Sequence, residues 1–302
     1  MSNPNIYSSK DWREIIFSSL GYKTRKLKSK NSEMLYYEKK FLFFNFIGAP
    51  LKGSMTPFTD IDNGNINEES INRILTQLFF KSFLFYSELT LDNSEPIKLN
   101  TFNNFFYKIS FAPTYLLNID MSIDELWNTI KSRARNTIRK AEKNNVEVVR
   151  VNKPNSSQIS DFYDNLTKTF ERSNSKPYHP IVFFEKLFES KVNFLFLVGY
   201  KDSMPCSYGI YVYDHDCMYF LSGANNEIGY KNAASSLVQW KALEIACKSK
   251  IKKFDFGGAG SVKTIDKFKE SFGGALHNRI CFYTKYSMGN LLIKLRKKFS
   301  NL

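Results

Sequence analysis

Apolar positions recur every three or four residues in some stretches of the chain and every second residue in others, and the two periods mark helices and strands. A short helix is predicted over residues 12–20, followed by a basic connector over 23–30. Residues 34–46 are rich in Tyr and Phe and strand-like, and the charged break at Glu38-Lys39-Lys40 suggests a hairpin, closed by Gly48-Ala49-Pro50. A Pro/Asp/Asn/Gly loop is predicted over 57–67. Ile71, Ile74, Leu75, Leu78 and Phe79 then give helical spacing across 68–82. A short strand at 83–86 follows, and 105–117 holds two strand-like runs separated by Pro113.

The next helix is the most informative. Ser122 with Glu125 three residues on has the spacing of a capping box. Leu126, Ile130, Ala134, Ile138 and Ala141 make one continuous apolar stripe behind it. The pattern fails at Asn144-Asn145, and 146–151 alternates like a strand. The expected domain boundary lies there, giving domains 1–145 and 146–302, with 286–302 able to pack back on the first. The second half reads as helices at 157–170 and 180–188 and strands at 194–200, 206–213 and 218–223. A helix at 233–249, a strand at 253–256, a short helix at 264–271 and a last strand at 278–283 complete it. Short polar turns at 201–205 and 214–216 make the three central strands an antiparallel meander. A parallel strand follows after the long helix. The class is mixed α/β.

Composition narrows the field. At 302 residues, with 43% apolar and 16% aromatic content, the chain exceeds one typical domain and can bury real cores. That excludes a disordered or low-complexity protein. Four cysteines without a C-x-x-C pair are expected to be reduced thiols of a cytosolic protein. The polar start lacks a signal-peptide core, and the most apolar stretch, 41–51, is too short to cross a bilayer. Lys and Arg number 43 against 29 Asp and Glu, a net charge of +14, so anionic partners are expected.

The charge is not evenly spread. Residues 131–153 hold eight basic and two acidic residues. Arg135 and Arg139, one helical turn apart, are candidates for phosphate contact, because a guanidinium offers planar paired donors. A plain solvated face remains the alternative. At 254–258 a strand ends in Gly257 and Gly258, which let backbone approach a ligand. Lys269 follows on a short helix near that strand end, a common ligand position in α/β sheets. Phe268 and Phe272 beside it read as core. Tyr230, Lys231 and Asn232 stand at a strand-to-helix junction that could receive an anion at a helix start. Its Asn226-x-x-Gly229 departs from the R/Q-x-x-G-x-G/A pattern of coenzyme A sites. Arg172 and Tyr178, on a loop between helices, are acceptor candidates. His179, His215 and His277 lack metal-ligand spacing, and Asp214-His215-Asp216 reads as a turn. No serine-hydrolase or P-loop signature occurs. The basic, amphipathic 291–299 stretch could rest on an anionic membrane.

Leu126-Trp127, Arg135, Ile138-Arg139-Lys140-Ala141, Val146-Glu147-Val148, Phe162-Tyr163, Thr169-Phe170-Glu171-Arg172, Ser222-Gly223-Ala224 and Phe254-Asp255-Phe256-Gly257-Gly258 stand in an ordered series. It ends with Phe268-Lys269 and Phe272-Gly273-Gly274. This series resembles the Fem-type (FemAB-like) peptidyltransferases over about residues 120–285. The resemblance implies two tandem GNAT-like domains and transfer of an acyl or aminoacyl group to an amine of a cell-envelope precursor, peptidoglycan or surface glycan. The implied co-substrate is acyl-CoA or aminoacyl-tRNA, with no tightly bound cofactor or metal. The implied partners are an anionic or lipid-linked acceptor, tRNA, and the inner face of the membrane. Lys269 matches the family's F-K lysine, with an electrostatic role at the reacting carbonyl. Positive groups from both halves are expected to converge on one pocket. An acyl-CoA-dependent amino-sugar N-acyltransferase and a non-catalytic RNA- or membrane-binding module are the alternatives.

Overall fold

A computed structural model describes residues 5–29, 32–41, 44–48, 58–60, 68–81, 87–91, 104–172, 174–260 and 262–285. In chain order the first elements are α1 (Lys10–Leu20), β1 (Lys23–Ser29), β2 (Ser32–Phe41), β3 (Phe44–Gly48) and β4 (Phe58–Asp60). They are followed by α2 (Glu68–Lys81), β5 (Ser87–Thr90), β6 (Tyr107–Asn118), α3 (Ile123–Thr129), α4 (Ser132–Lys143) and β7 (Val146–Arg150). Next come α5 (Ser156–Glu171), α6 (Ile181–Glu189), β8 (Phe194–Lys201), β9 (Met204–Tyr213) and β10 (Cys217–Asn225). The last are α7 (Glu227–Lys231), α8 (Ala234–Lys248), β11 (Lys253–Gly258), α9 (Lys263–Ser271) and β12 (Ala275–Thr284).

The chain divides into two compact units. One holds Tyr7–Ala112 and the chain from Asn278 on; the other holds Pro113–His277 with the first six residues. The division therefore falls at 112/113, whereas the sequence suggested 145/146, a point between α4 and β7 of the same unit. The expected return of 286–302 lies outside the described residues.

In the 7–112 unit the strand order is β1-β2-β3-β5-β12, with β4 on β2. β3 and β5 run parallel and the other pairs are antiparallel. Ser9 caps α1 by accepting the Trp12 N–H at 3.2 Å, and Gly21 ends it at φ 71°. Trp12, Ile15 and Ile16 of α1 are buried. Ile71, Ile74, Leu75 and Leu78 of α2 pack into a core with Leu27, Met34, Tyr36, Leu89 and Phe282. Three expectations change here. Within the loop expected at 57–67, Phe58–Asp60 is the strand β4, held by its antiparallel pairing with β2 at Ser32, Glu33 and Met34. The basic run expected as a connector at 23–30 is a strand over Lys23–Ser29, because cross-strand pairs Arg25–Glu38 (3.0 Å) and Lys26–Glu33 (2.6 Å) match its charges while Leu27 faces inward. The Glu38–Lys40 stretch does not break β2; it continues to Phe41 and pairs Glu38 with Ile47 and Lys39 with Phe46. The strand expected at 83–86 lies outside the described residues.

In the 113–277 unit the order is β6-β11-β10-β9-β8-β7. The predicted meander is present: β7, β8, β9 and β10 pair antiparallel, and β11 lies parallel to β10. Asp214-His215-Asp216 is the β9–β10 turn, its Asp214 Oδ1 accepting the N–H groups of Asp216 and Cys217, both at 2.9 Å. Pro113 does not split the strand-like run, which is the single strand β6. The helix predicted from Ser122 is two helices. Its capping box is formed, with Glu125 N–H to Ser122 Oγ at 3.2 Å and Ser122 N–H to Glu125 Oε2 at 2.8 Å. Ile130 and Lys131 are extended, and the Lys131 N–H donates to the Ser271 carbonyl of α9 at 2.9 Å instead of to a helical partner. The apolar stripe survives the break: Leu126, Ile130, Ala134, Ile138 and Ala141 are all buried in one core with residues of α8 and β11. Among the described residues no helix is long and apolar enough to cross a membrane.

Candidate active site

The parallel strands β10 and β11 pair for three residues only, from Cys217↔Lys253 to Tyr219↔Asp255. β10 then runs on to Asn225 and β11 to Gly258. β10 is irregular against β9 between Phe220 and Ser222, and β11 against β6 between Asp255 and Gly258. Two strand ends with released ladder groups are where an α/β sheet can receive a ligand. The sequence builds this bend. Gly257 adopts φ 81°, a region that strains residues with a Cβ. Asp255, 3% exposed, accepts the Thr114 hydroxyl at 2.6 Å and the Gly257 N–H at 2.7 Å on one carboxylate oxygen. Those bonds make Asp255 the staple of the strand end.

Lys269 closes the same structure from α9. Its side chain is buried, and Nζ donates to the Gly258 carbonyl at 2.6 Å and the Gly257 carbonyl at 3.1 Å. Nζ also lies 5.9 Å from the Tyr115 ring centroid. The Tyr115 hydroxyl donates to Glu270 Oε1 at 3.0 Å. Burial first, then that carboxylate and Asp266, push the phenol up to about 12. A cation is thus fixed at the parted strand end, where its field is weakly screened. Gly257, Gly258 and Lys269 are brought together as the sequence suggested, and Phe272 and Phe268 belong to the core.

Arg135 and Arg139 gather around Trp127. Arg135 Nη1 donates to the Trp127 and Asn128 carbonyls at 3.4 and 3.5 Å, at the C-terminal end of α3, and Nη2 to Ser132 Oγ at 3.4 Å. Arg139 is exposed, its guanidinium 5.5 Å from the Trp127 ring centroid. Trp127 also meets Trp240 of α8 edge-on at 4.9 Å. Both arginines and Lys269 lie in the 113–277 unit. The expectation that such cations come from two halves is therefore corrected: they come from different helices of one unit.

The junction after β10 is a short helix, α7, which the sequence did not suggest. Asn226 caps it, accepting the Gly229 N–H at 3.0 Å, and the Tyr230, Asn232 and Ala233 N–H groups donate to carbonyls of the same turn. Gly229 is there for packing: a Cβ would stand 2.1 Å from the Cys206 carbonyl oxygen. Asn232 ties α7 to α4, its Nδ2 donating to Ile228 O at 2.9 Å and its Oδ1 accepting from Asn144 at 3.1 Å. Lys231 is exposed. Tyr230 is half-exposed, and Arg172 stacks over its ring at 4.9 Å. This joins an acceptor candidate to a donor candidate. Tyr178, also half-exposed, meets Phe170 edge-on at 5.2 Å.

Sequence reading assigned no role to Thr114, Tyr115 or Glu270, nor to Trp127, which it quoted only within the motif series. Thr114 and Tyr115 follow Pro113 in a run that looked like ordinary strand. Glu270 adjoins Lys269, and Trp127 stands eight residues before Arg135; those two spacings were the available signals.

Residues 130–270 match the family model of the acetyltransferase (GNAT) domain. Among solved structures, FemX is similar over 97% of this chain and 95% of its own, at 14% identity and a TM-score of 0.70. The C-terminal domain of an Agrobacterium fabrum protein named for lysylphosphatidylglycerol synthetase is similar over 87% of this chain and 84% of its own, at 9% identity and a TM-score of 0.58. A tandem GNAT protein from the clavulanic acid biosynthesis pathway is similar over 85% of this chain and 80% of its own, at 8% identity and a TM-score of 0.51. No curated protein matches the sequence. These likenesses show the fold, a mixed α/β chain of tandem GNAT-like architecture.

Proposed function

Residues 130–270 being an acetyltransferase (GNAT) domain, we propose that this acyltransferase joins an acyl or aminoacyl group to an amine of a cell-envelope precursor, peptidoglycan or surface glycan. The observation that carries the reading is the parting of β10 and β11 with the Lys269 ammonium fixed on the Gly257 and Gly258 carbonyls. The envelope assignment draws on fold likeness to FemX and to the protein named for lysylphosphatidylglycerol synthetase, a name that describes an aminoacyl group on a lipid head group.

In the proposed reaction a neutral amine attacks the carbonyl carbon of an ester or thioester. A C–N bond forms, the C–O or C–S bond breaks, the amine proton passes directly or through water to the departing alcohol or thiol, and negative charge gathers on the carbonyl oxygen meanwhile. A fixed cation beside that oxygen lowers the barrier without reorganising. Lys269 supplies the charge, and Gly257 and Gly258 shape the strand end. Arg139 and Arg135 hold phosphates of an anionic, lipid-linked or soluble partner. The stacked pair Arg172 and Tyr230 is assigned to substrate contact, with Tyr178 and Lys231 near it in sequence. The GNAT domain implies acyl-CoA as co-substrate, with aminoacyl-tRNA as the rival donor. Four N–H groups between Gly229 and Ala233 are already bonded within α7. A pyrophosphate would have to compete with those bonds, which favours the aminoacyl-tRNA arm.

Incubation with radiolabelled aminoacyl-tRNA and, separately, acetyl-CoA, each with a peptidoglycan precursor, tests the reading. Transfer of label into amide linkage from either donor is expected. Failure with both donors across amine acceptors overturns it.

A further inference from the structure

We propose that the aromatic end of α2, with the segment leading into β6, docks on an anionic lipid surface. Four phenylalanines meet there. Phe79 and Phe106 stack at 3.9 Å with planes 16° apart, and both pack on the core of the 7–112 unit. Phe80 and Phe105 sit outside that pair, edge-on to Phe106 at 5.4 and 5.2 Å. They are 62% and 74% exposed. Scattered single hydrophobes on a surface are ordinary, but two large exposed rings that both rest edge-on against one ring of a partly buried stack are not.

The base is held firmly. Asn104, 5% exposed, accepts the N–H groups of Phe106 and Tyr107 at 2.9 and 3.0 Å and donates to Asn72 Oδ1 at 3.2 Å. The same place carries a cation: the Lys285 N–H donates to the Phe106 carbonyl and its Nζ to the Asn104 carbonyl, both at 2.7 Å. Lys108 is exposed two residues beyond Phe106. Exposed rings with Lys108 in the same segment and Lys285 bonded to it suit the lipid interface, where hydrocarbon takes the rings and anionic head groups take the charge. The inference is independent of the acyl-transfer reading, since it concerns a surface and not the reacting groups.

Co-sedimentation of the full chain with phosphatidylcholine vesicles, with and without phosphatidylglycerol, tests it. Binding is expected only with phosphatidylglycerol and should weaken as salt rises. The double variant Phe80→Ser/Phe105→Ser should bind about tenfold more weakly, with an unchanged far-ultraviolet circular dichroism spectrum. Phe105→Ser alone, at the more exposed ring, should show a smaller loss and serves if the double variant misfolds. No binding by the wild-type chain, or equal binding by the folded variants, overturns the proposal. So does a wild-type dimer that the substitutions dissolve, which would show that the rings face a second copy.

Discussion

Of the cation–ring contacts in the 113–277 unit, two make an instructive pair: the α9–β11 contact and the corner between α3 and α4. The distances are similar, 5.9 Å from Lys269 to Tyr115 and 5.5 Å from Arg139 to Trp127. The surroundings are opposite. Lys269 is buried and bonded to two backbone carbonyls, whereas Arg139 stands in water. A buried ammonium survives only where its donors are used, so its bonds are also part of the fold. An exposed guanidinium holds nothing essential and keeps its charge for a ligand. Structural and chemical roles are therefore fused at the first place and separable at the second.

The largest effect should follow Lys269→Met. It removes the donor from the Gly257 and Gly258 carbonyls, at about 1–3 kcal/mol for each group left without a partner. A clearly lower melting midpoint is expected, together with loss of most turnover. Turnover is to be measured well below the variant's own midpoint. Wild-type turnover by the folded variant would leave Lys269 a purely structural lysine and undo the contrast.

His179 offers a buried base of the opposite kind. It packs against Phe183 at 4.4 Å and Phe184 at 5.7 Å, and its buried Nε2 has no hydrogen-bond partner among the described residues. Burial lowers its pKa from the ordinary 6.5 to about 4. The folded state therefore binds fewer protons than the unfolded chain between those values. Stability attributable to His179 is complete above pH 6.5 and is lost as pH falls from there towards 4. The full loss is about 3 kcal/mol, from roughly 1.4 kcal/mol per pH unit. Denaturation titrations at a series of pH values should show this slope in the wild type and a flatter one in His179→Phe. An equal slope in both would show that other groups carry the acid sensitivity.

The contrast between the two cation sites also explains what could be read from the sequence. The meander, α8, the parallel β11 and the stripe from Leu126 to Ala141 were legible because each depends on a period set by the pleat or the helix turn. The capping box at Ser122 was legible because its partners are three residues apart. The break at Ile130–Lys131 was not, since its cause is the Ser271 carbonyl, 140 residues away in sequence. Nor was β1, a run of lysines that becomes a strand only opposite Glu33 and Glu38. For the site, the closeness of Lys269 to Gly257 and Gly258 could be anticipated from a short strand–turn–helix. Its burial could not, because Tyr115 comes from the distant β6. The sequence also gave Arg135 and Lys269 to different halves, since a cut at 145/146 is natural where a helix ends at Asn144-Asn145. Pairing of β6 with β11 instead keeps Pro113–His277 in one unit.

A smaller effect is expected from Arg135→Ala. Its three donor contacts are long, 3.4 to 3.5 Å, and two of them serve the carbonyls at the end of α3. Losing a cation at a helix C-terminus costs about 1 kcal/mol. Chemical denaturation should show a loss of that order. A loss comparable to that of Lys269→Met would mean that the α3–α4 corner depends on its surface cation as strongly as the strand end depends on its buried one.

Arg139→Ala should cost the fold least, because an exposed cation over a tryptophan is worth only about 0.5–1 kcal/mol. The informative readout is kinetic. If Arg139 meets a phosphate of the substrate, its removal should raise KM for that substrate with little change in kcat, and the rise should shrink at high salt as screening weakens the wild-type contact. Arg139→Lys should recover part of the affinity, since charge remains while the planar pair of donors is lost. A fall in kcat at unchanged KM would place Arg139 with the transition state instead, and the exposed guanidinium would then share the role assigned here to the buried ammonium.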